Sequence, residues 1–210
     1  AAEAVLGQPN FTTGVAGPPN GGIDEPYVLQ VDGSGRLWVS DYGNNRVLMY
    51  AGASSLPIFG GSPSLVLGQP DFTTVDPGTS KTKMRGPAAV HVDAANNLWV
   101  ADYDNHRVLK FANVPALVSG AEATVVLGQP DFDTGTPATS AVKMNGPAGV
   151  VVDSAGRLWV ADYNNHRMLR FDNAAGLGNG AAASGVLGQP GFVSATTSTT
   201  AQGMNEPTTP

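Results

Sequence analysis

Cysteine is absent, which excludes disulfides and thiolate chemistry. Charge is scarce: 13% of residues are Asp, Glu, Lys or Arg, and the net charge is −6. A nucleic-acid partner needs a basic face. Here acids outnumber bases, and the cations, chiefly Lys81, Lys83, Arg85, Lys110, Lys143 and Arg170, are scattered, so no nucleic-acid partner is expected. No run approaches the ~18 apolar residues of a membrane span, so none is expected. Histidine occurs three times and never in an H-E-x-x-H or H-x-x-x-H spacing; EF-hand and G-x-S-x-G patterns are missing as well. No Gly-rich stretch leads into a helix that could hold a phosphate. The opening residues, Ala1 to Val5, have neither a basic n-region nor an apolar h-region, and a mature exported protein or a chain starting mid-sequence would both begin this way.

What is abundant is Gly (27) and Pro (16) in 210 residues, a composition for short strands and tight turns rather than helical bundles. One segment occurs three times: LWVSDYGNNR at 37–46, LWVADYDNHR at 98–107 and LWVADYNNHR at 158–167. A second occurs four times: VLGQPNF at 5–11, VLGQPDF at 66–72 and 126–132, and VLGQPGF at 186–192. The spacing is 60 or 61 residues throughout, which marks a repeat architecture.

Each unit reads as four strands. In the third copy Gly149–Asp153 is a β-branched run, 154–156 a turn, 157–161 a second strand, 162–165 another turn, 167–171 a third strand and 184–188 a fourth, stopped by Gln189-Pro190. The loop after strand three is Gly/Ala/Asn-rich at 172–183; in the middle copy, 113–117 could hold a short helical turn. The connecting stretches 73–85 and 133–145 are polar and belong on the surface, each closing on a methionine, Met84 or Met144, with Met204 in the last copy, read as an apolar plug. Leu and Val flank each of Trp38, Trp99 and Trp159, so the second strand is apolar on both faces. A single sheet cannot bury both; blades stacked about an axis can. The expected fold is all-β, a β-propeller of four-stranded antiparallel blades.

The pattern Gly-Pro-x-x-Val-x-Val-Asp followed by Leu-Trp-Val-Ala-Asp-Tyr-x-Asn-His-Arg-Val resembles the NHL repeat. Asn105-His106-Arg107-Val108 and Asn165-His166-Arg167-Met168 carry the signature, with Asn44-Asn45-Arg46-Val47 a near match. The LGQPDF extension looks like bacterial, often exported, members of that class. The resemblance implies a propeller, usually of six blades, and a secreted or cell-surface location. The chain is expected to hold half of such a ring as one segment, 1–210: blade 1 at about 24–72, blade 2 at about 85–132 and blade 3 at about 145–192. Residues 1–23 supply a fourth strand and loop of a preceding blade, and 193–210 the start of a following one. Three blades cannot close: the chain is part of a longer one, or a homodimer completes six blades, and both are favoured over an open arc whose exposed strand edges would be sticky.

Asp41, Asp102 and Asp162 end the second strand, with Arg46, Arg107 and Arg167 five residues on. Recurrence in every unit points to structural pairing rather than catalysis, and the same holds for Asp32, Asp93 and Asp153 as turn residues. His106 and His166 have Asn45 as their counterpart. His91 breaks the repeat, with Gln30 and Val151 at its equivalent positions. With Asp93 and Gln30 it forms the weak candidate metal set. No cofactor is expected on the leading reading, a non-enzymatic module presenting inter-blade loops, 14–20 and its equivalents, to a protein or glycan. The alternative is a lactonase-like hydrolase or lyase, with Ca²⁺ on the central axis as the resemblance implies.

Overall fold

The computed structural model describes residues 2–14 and 22–208, so residues 15–20 of the first expected loop lie outside the described residues. Twelve strands form three separate four-stranded antiparallel sheets. Blade 1 is β1 (Pro26–Val31), β2 (Leu37–Asp41), β3 (Arg46–Tyr50) and β4 (Leu65–Leu67). Blade 2 is β5 (Pro87–Val92), β6 (Leu98–Asp102), β7 (Arg107–Phe111) and β8 (Val125–Leu127). Blade 3 is β9 (Pro147–Val152), β10 (Leu158–Asp162), β11 (Arg167–Phe171) and β12 (Gly185–Leu187). Strand order follows chain order in each sheet, as tight turns between neighbouring strands require.

The double-sided second strand organises the core. Trp38 lies in one cluster with Val90, Leu98, Val100 and Leu109 of the next blade, and Trp99 lies in a second with Val150, Leu158, Val160 and Leu169. Met84 and Met144 are fully buried within the same two clusters. Each Trp–blade contact removes a large apolar side chain from water, worth on the order of 1.5–3 kcal/mol. Among the described residues no sheet packs on the outer side of the third copy: Trp159 is only half-buried, and Leu187 is 50% exposed while Leu67 and Leu127 are fully buried. At the other end Leu29 and Val31 are exposed, although their equivalents in blade 2, Val90 and Val92, are buried.

Neighbouring blades are also stitched at the rim. Gly120 N–H donates to Val66 O at 2.9 Å and Val66 N–H to Ser119 Oγ at 3.2 Å. One repeat later Gly180 N–H donates to Val126 O at 2.9 Å and Val126 N–H to Asn179 Oδ1 at 3.1 Å. The N-terminal copy repeats the contact: Gly60 N–H donates to Val5 O at 3.3 Å. The extra strand expected at 5–11 is one parallel bridge, Val5 with Phe59, because no sheet among the described residues pairs with its other edge.

Two local readings differ from expectation. The loops after strand three each carry a 3-10 turn, at Ala53–Ser55, Val114–Ala116 and Ala174–Gly176, not only in the middle copy. In the last two, an asparagine (Asn113, Asn173) enters the left-handed region before the turn. The Asp-Tyr-x-Asn turns of blades 2 and 3 are also 3-10, Tyr103–Asn105 and Tyr163–Asn165.

Candidate binding site at the axial mouth

Most of the repeated polar residues are engaged in structure. Trp38, Trp99 and Trp159 each donate Nε1–H to the turn carboxylate of the same blade, Asp32, Asp93 or Asp153, at 2.9 Å. The same carboxylates also cap the backbone of the hairpin turn. Burial by itself would raise the Asp93 carboxyl, but the Trp99, Asn97 and Ala95 donors together outweigh it and hold it below the ordinary range.

Asp41, Asp102 and Asp162 pair with Arg46, Arg107 and Arg167 at 2.6, 2.7 and 2.7 Å, within one blade and with both side chains fully buried. The guanidinium does more than neutralise. Arg107 donates to the carbonyls of Phe132, Ser80 (3.0 Å) and Lys83 (2.8 Å), and Arg167 to those of Phe192, Ser140 (2.9 Å) and Lys143 (2.9 Å). The fork thus fastens the LGQPDF-type loop and the inter-blade connection to the blade, using geometry only a planar five-donor group offers. The glutamine of that loop works alongside it: Gln69, Gln129 and Gln189 Nε2–H donate to the carbonyls of Asn45, His106 and His166 at 3.0–3.1 Å. Lys83 and Lys143 cap Gln69 and Gln129.

His106 and His166 sit in the left-handed region, φ 54° and 51°, as does Asn45 at 55°. Each accepts a backbone N–H from the start of the next repeat: Gly146 to His106 Nδ1 (3.0 Å), Glu206 to His166 Nδ1 (3.2 Å), Gly86 to Asn45 Oδ1 (3.0 Å). Asn and His interchange here because both carry an acceptor at the right reach. Gln30 and His91 are inter-blade stitches too. Gln30 Oε1 accepts Val92 N–H at 2.6 Å, and its Nε2 lies 3.4 Å from Val92 O and 3.5 Å from His91 Nδ1. His91 in turn bonds the Val152 backbone, and burial is the main cause that pulls its pKa down. Gln30, His91 and Asp93 therefore point to different tasks and do not fit an axial divalent cation. Among the described residues, no three His, Asp or Glu side chains gather closely enough to hold a metal ion.

The residues left over from this framework converge elsewhere. The tyrosine following each of Asp41, Asp102 and Asp162 lies on the rim where the innermost strands begin. Tyr42 and Tyr103 meet edge to face at 6.5 Å and 60°, and Tyr103 and Tyr163 at 6.2 Å and 62°. Tyr27, at the start of β1, stacks on Tyr42 at 4.6 Å. These four rings, with Val28, Ala88 and Ala148 as a floor and Thr208 beside them, line a cavity of about 440 Å³. Desolvation, then Asp104 and the neighbouring rings, push the Tyr42 phenol up to about 12, so it stays protonated. Asn164 Nδ2 donates to Tyr103 OH at 3.3 Å, and Tyr163 OH donates to Glu206 Oε2 at 2.9 Å. The arc was not read from the sequence, although two signals were there: a tyrosine at one fixed position of all three copies, and Tyr27 where the other copies have Ala88, Ala148 and Thr208.

The NHL repeat model matches residues 84–111 and 144–171, the first three strands of blades 2 and 3 with their leading methionines. NHL repeat-containing protein 3 of Mus musculus is 27% identical over 164 residues, 73% of this chain and 41% of that protein. The Homo sapiens protein of the same name is 29% identical over 149 residues, 67% and 36%. The chain thus spans less than half the length of these relatives. Among solved structures, a periplasmic gluconolactonase of Pseudomonas aeruginosa superposes with a TM-score of 0.51 at 18% identity, over 85% of this chain and 42% of that one, a likeness of fold alone.

Proposed function

We propose that this chain is part of an NHL-repeat β-propeller of the bacterial, exported type, and that it serves as a non-catalytic binding module. The partner, a protein or glycan, is engaged at the axial mouth ringed by Tyr27, Tyr42, Tyr103 and Tyr163, with the inter-blade loops framing it. One observation carries this reading: the acid/base residue types recur in every blade as bonds within the framework, whereas the aromatic arc around a cavity departs from the repeat at Tyr27. A pocket with an apolar floor and a few polar groups at its edge is built to hold a ligand. The VLGQPDF segments motivate the exported type. The test is a pull-down from an extracellular extract together with a glycan array, run with the native chain, with Tyr27→Ala and with swapped 133–145 loops. Binding that depends on Tyr27 is expected. A partner held equally well by every variant overturns the reading.

A further inference from the structure

We propose that the axial mouth receives a small quaternary organic cation carrying a trimethylammonium group, its charge set against the tyrosine faces. This deepens the reading above and rests on its placement of the binding surface.

Three observations lead to it. First, the wall is aromatic and uniform: four of the chain's five tyrosines line one cavity, and among the described residues no Lys, Arg or His does. Ring faces carry negative potential, and a cation whose charge is spread over alkyl groups loses less hydration on approaching them than a compact ammonium does. Second, the rim is acidic. Glu206 Oε2 accepts the Tyr163 hydroxyl at 2.9 Å, and Glu25 immediately precedes Pro26 and Tyr27. Asp104 Oδ2 borders the ring of Tyr42: a Cβ placed on Gly86 would meet both at 2.8 Å. Arg85 pairs loosely with Asp104 at 3.9 Å and is itself 61% exposed, so it offsets one of these three carboxylates. Third, the floor of Val28, Ala88 and Ala148 is apolar and offers no side-chain hydrogen-bond group, which suits methyl groups better than hydroxyls. The cavity, about 440 Å³, lies in the size range of small-molecule sites.

Glu25 and Glu206 strengthen the pattern. They hold the left-handed backbone position, φ 48° and 47°, that blades 2 and 3 give to Gly86 and Gly146. A glutamate in that region carries a strain glycine avoids. Glu206 reaches Tyr163, and Glu25 stands two residues before Tyr27.

The experiment is titration of the native chain with choline chloride and, separately, with its neutral isostere 3,3-dimethylbutan-1-ol. It is read by calorimetry and by ring resonances of the tyrosines, with sodium chloride matching ionic strength. Tyr50, buried in the core, is the internal control. Expected are saturable choline binding that shifts the mouth tyrosines but not Tyr50, and affinity for the isostere weaker by at least about tenfold. Tyr27→Ala should weaken choline by about three- to thirtyfold, and Tyr27→Phe should keep it within about twofold. Tyr27 is 62% exposed and alanine stands at its equivalents in blades 2 and 3, so the alanine variant folds. Equal binding of choline and isostere, both lost in Tyr27→Ala, overturns the cation but leaves the mouth as a binding surface. No choline binding at tens of millimolar overturns the inference. In that case a Tyr27-dependent partner in the pull-down still upholds the broader reading, and its absence removes both. Choline binding indifferent to Tyr27 overturns the inference as well.

Discussion

Replacing Arg107 by methionine tests the framework at its most demanding point. The change keeps most of the side-chain volume and removes the charge. It leaves Asp102 buried without its cation, and it leaves the carbonyls of Phe132, Ser80 and Lys83 without their donor. Breaking one side of a buried pair costs about 3–5 kcal/mol, because the remaining charge is uncompensated. For a chain of this size that lowers Tm by about 6–20 °C. Arg157 supplies the control: it pairs with Asp153 at a similar 2.7 Å, but the side chains are 44% and 25% exposed. Arg157→Met should cost about 0–1 kcal/mol. The assay is thermal and urea unfolding followed by tryptophan fluorescence. Adding Asp102→Asn to Arg107→Met should recover part of the loss, since no unpaired carboxylate then remains. The reasoning fails if Arg107→Met melts within the range of Arg157→Met, or if the double variant is worse by the full sum of the singles.

Three further outcomes follow from the same contacts. The turn carboxylates Asp32 and Asp93 titrate below their ordinary value in the folded state, held there by the Trp and backbone donors despite burial. A depressed folded pKa gives stability that is present above the unfolded pKa, about 3.9, and is lost as pH falls through the folded one. Stability should therefore be level near neutrality and decline below about pH 4, with a change in tryptophan emission; an emission that stays native while stability falls refutes the link to Trp38 and Trp99. His106→Asn should be tolerated within about 0.5 kcal/mol because Asn45 does the same task in blade 1. His106→Ala should cost about 1–2 kcal/mol, from the lost acceptor and the left-handed backbone. Equal unfolding curves for the two variants contradict this. Finally, Val5 O accepts Gly60 N–H and His166 Nδ1 accepts Glu206 N–H, so the segments flanking blades 1 and 3 are held against them, and their removal would free those two ends for a second copy. Light scattering should report 21.4 kDa for this chain, and a variant lacking 1–14 and 203–210 should associate; twice that mass for the unaltered chain refutes the blocking role of these segments.

The period of 60 or 61 residues, the apolar flanks around each tryptophan and the Gly or Asn at each hairpin are local features. Local physics turns them into local structure: twelve strands, tight turns, and sheets that must be covered on both faces. That much was legible in the linear chain. So was the suspicion that residues present in every copy hold the blade together, though not how. The direction of a side chain's hydrogen bond depends on what another blade brings near it. His91, which breaks the repeat, is the kind of asymmetry a site would show; packing sets it on the Val152 backbone and turns its counterpart Gln30 onto Val92, each some sixty residues away. The tyrosine arc shows the converse. Tyr42, Tyr103 and Tyr163 are separated by 61 and 60 residues and read individually as turn residues. Only stacking of the blades about a common centre brings the rings of neighbouring blades to 6.5 and 6.2 Å and opens a cavity against Tyr27. Sequence alone determined the blade, because a blade is built from neighbours in the chain. Tertiary structure decided the mouth, because it belongs to several blades at once and to none separately.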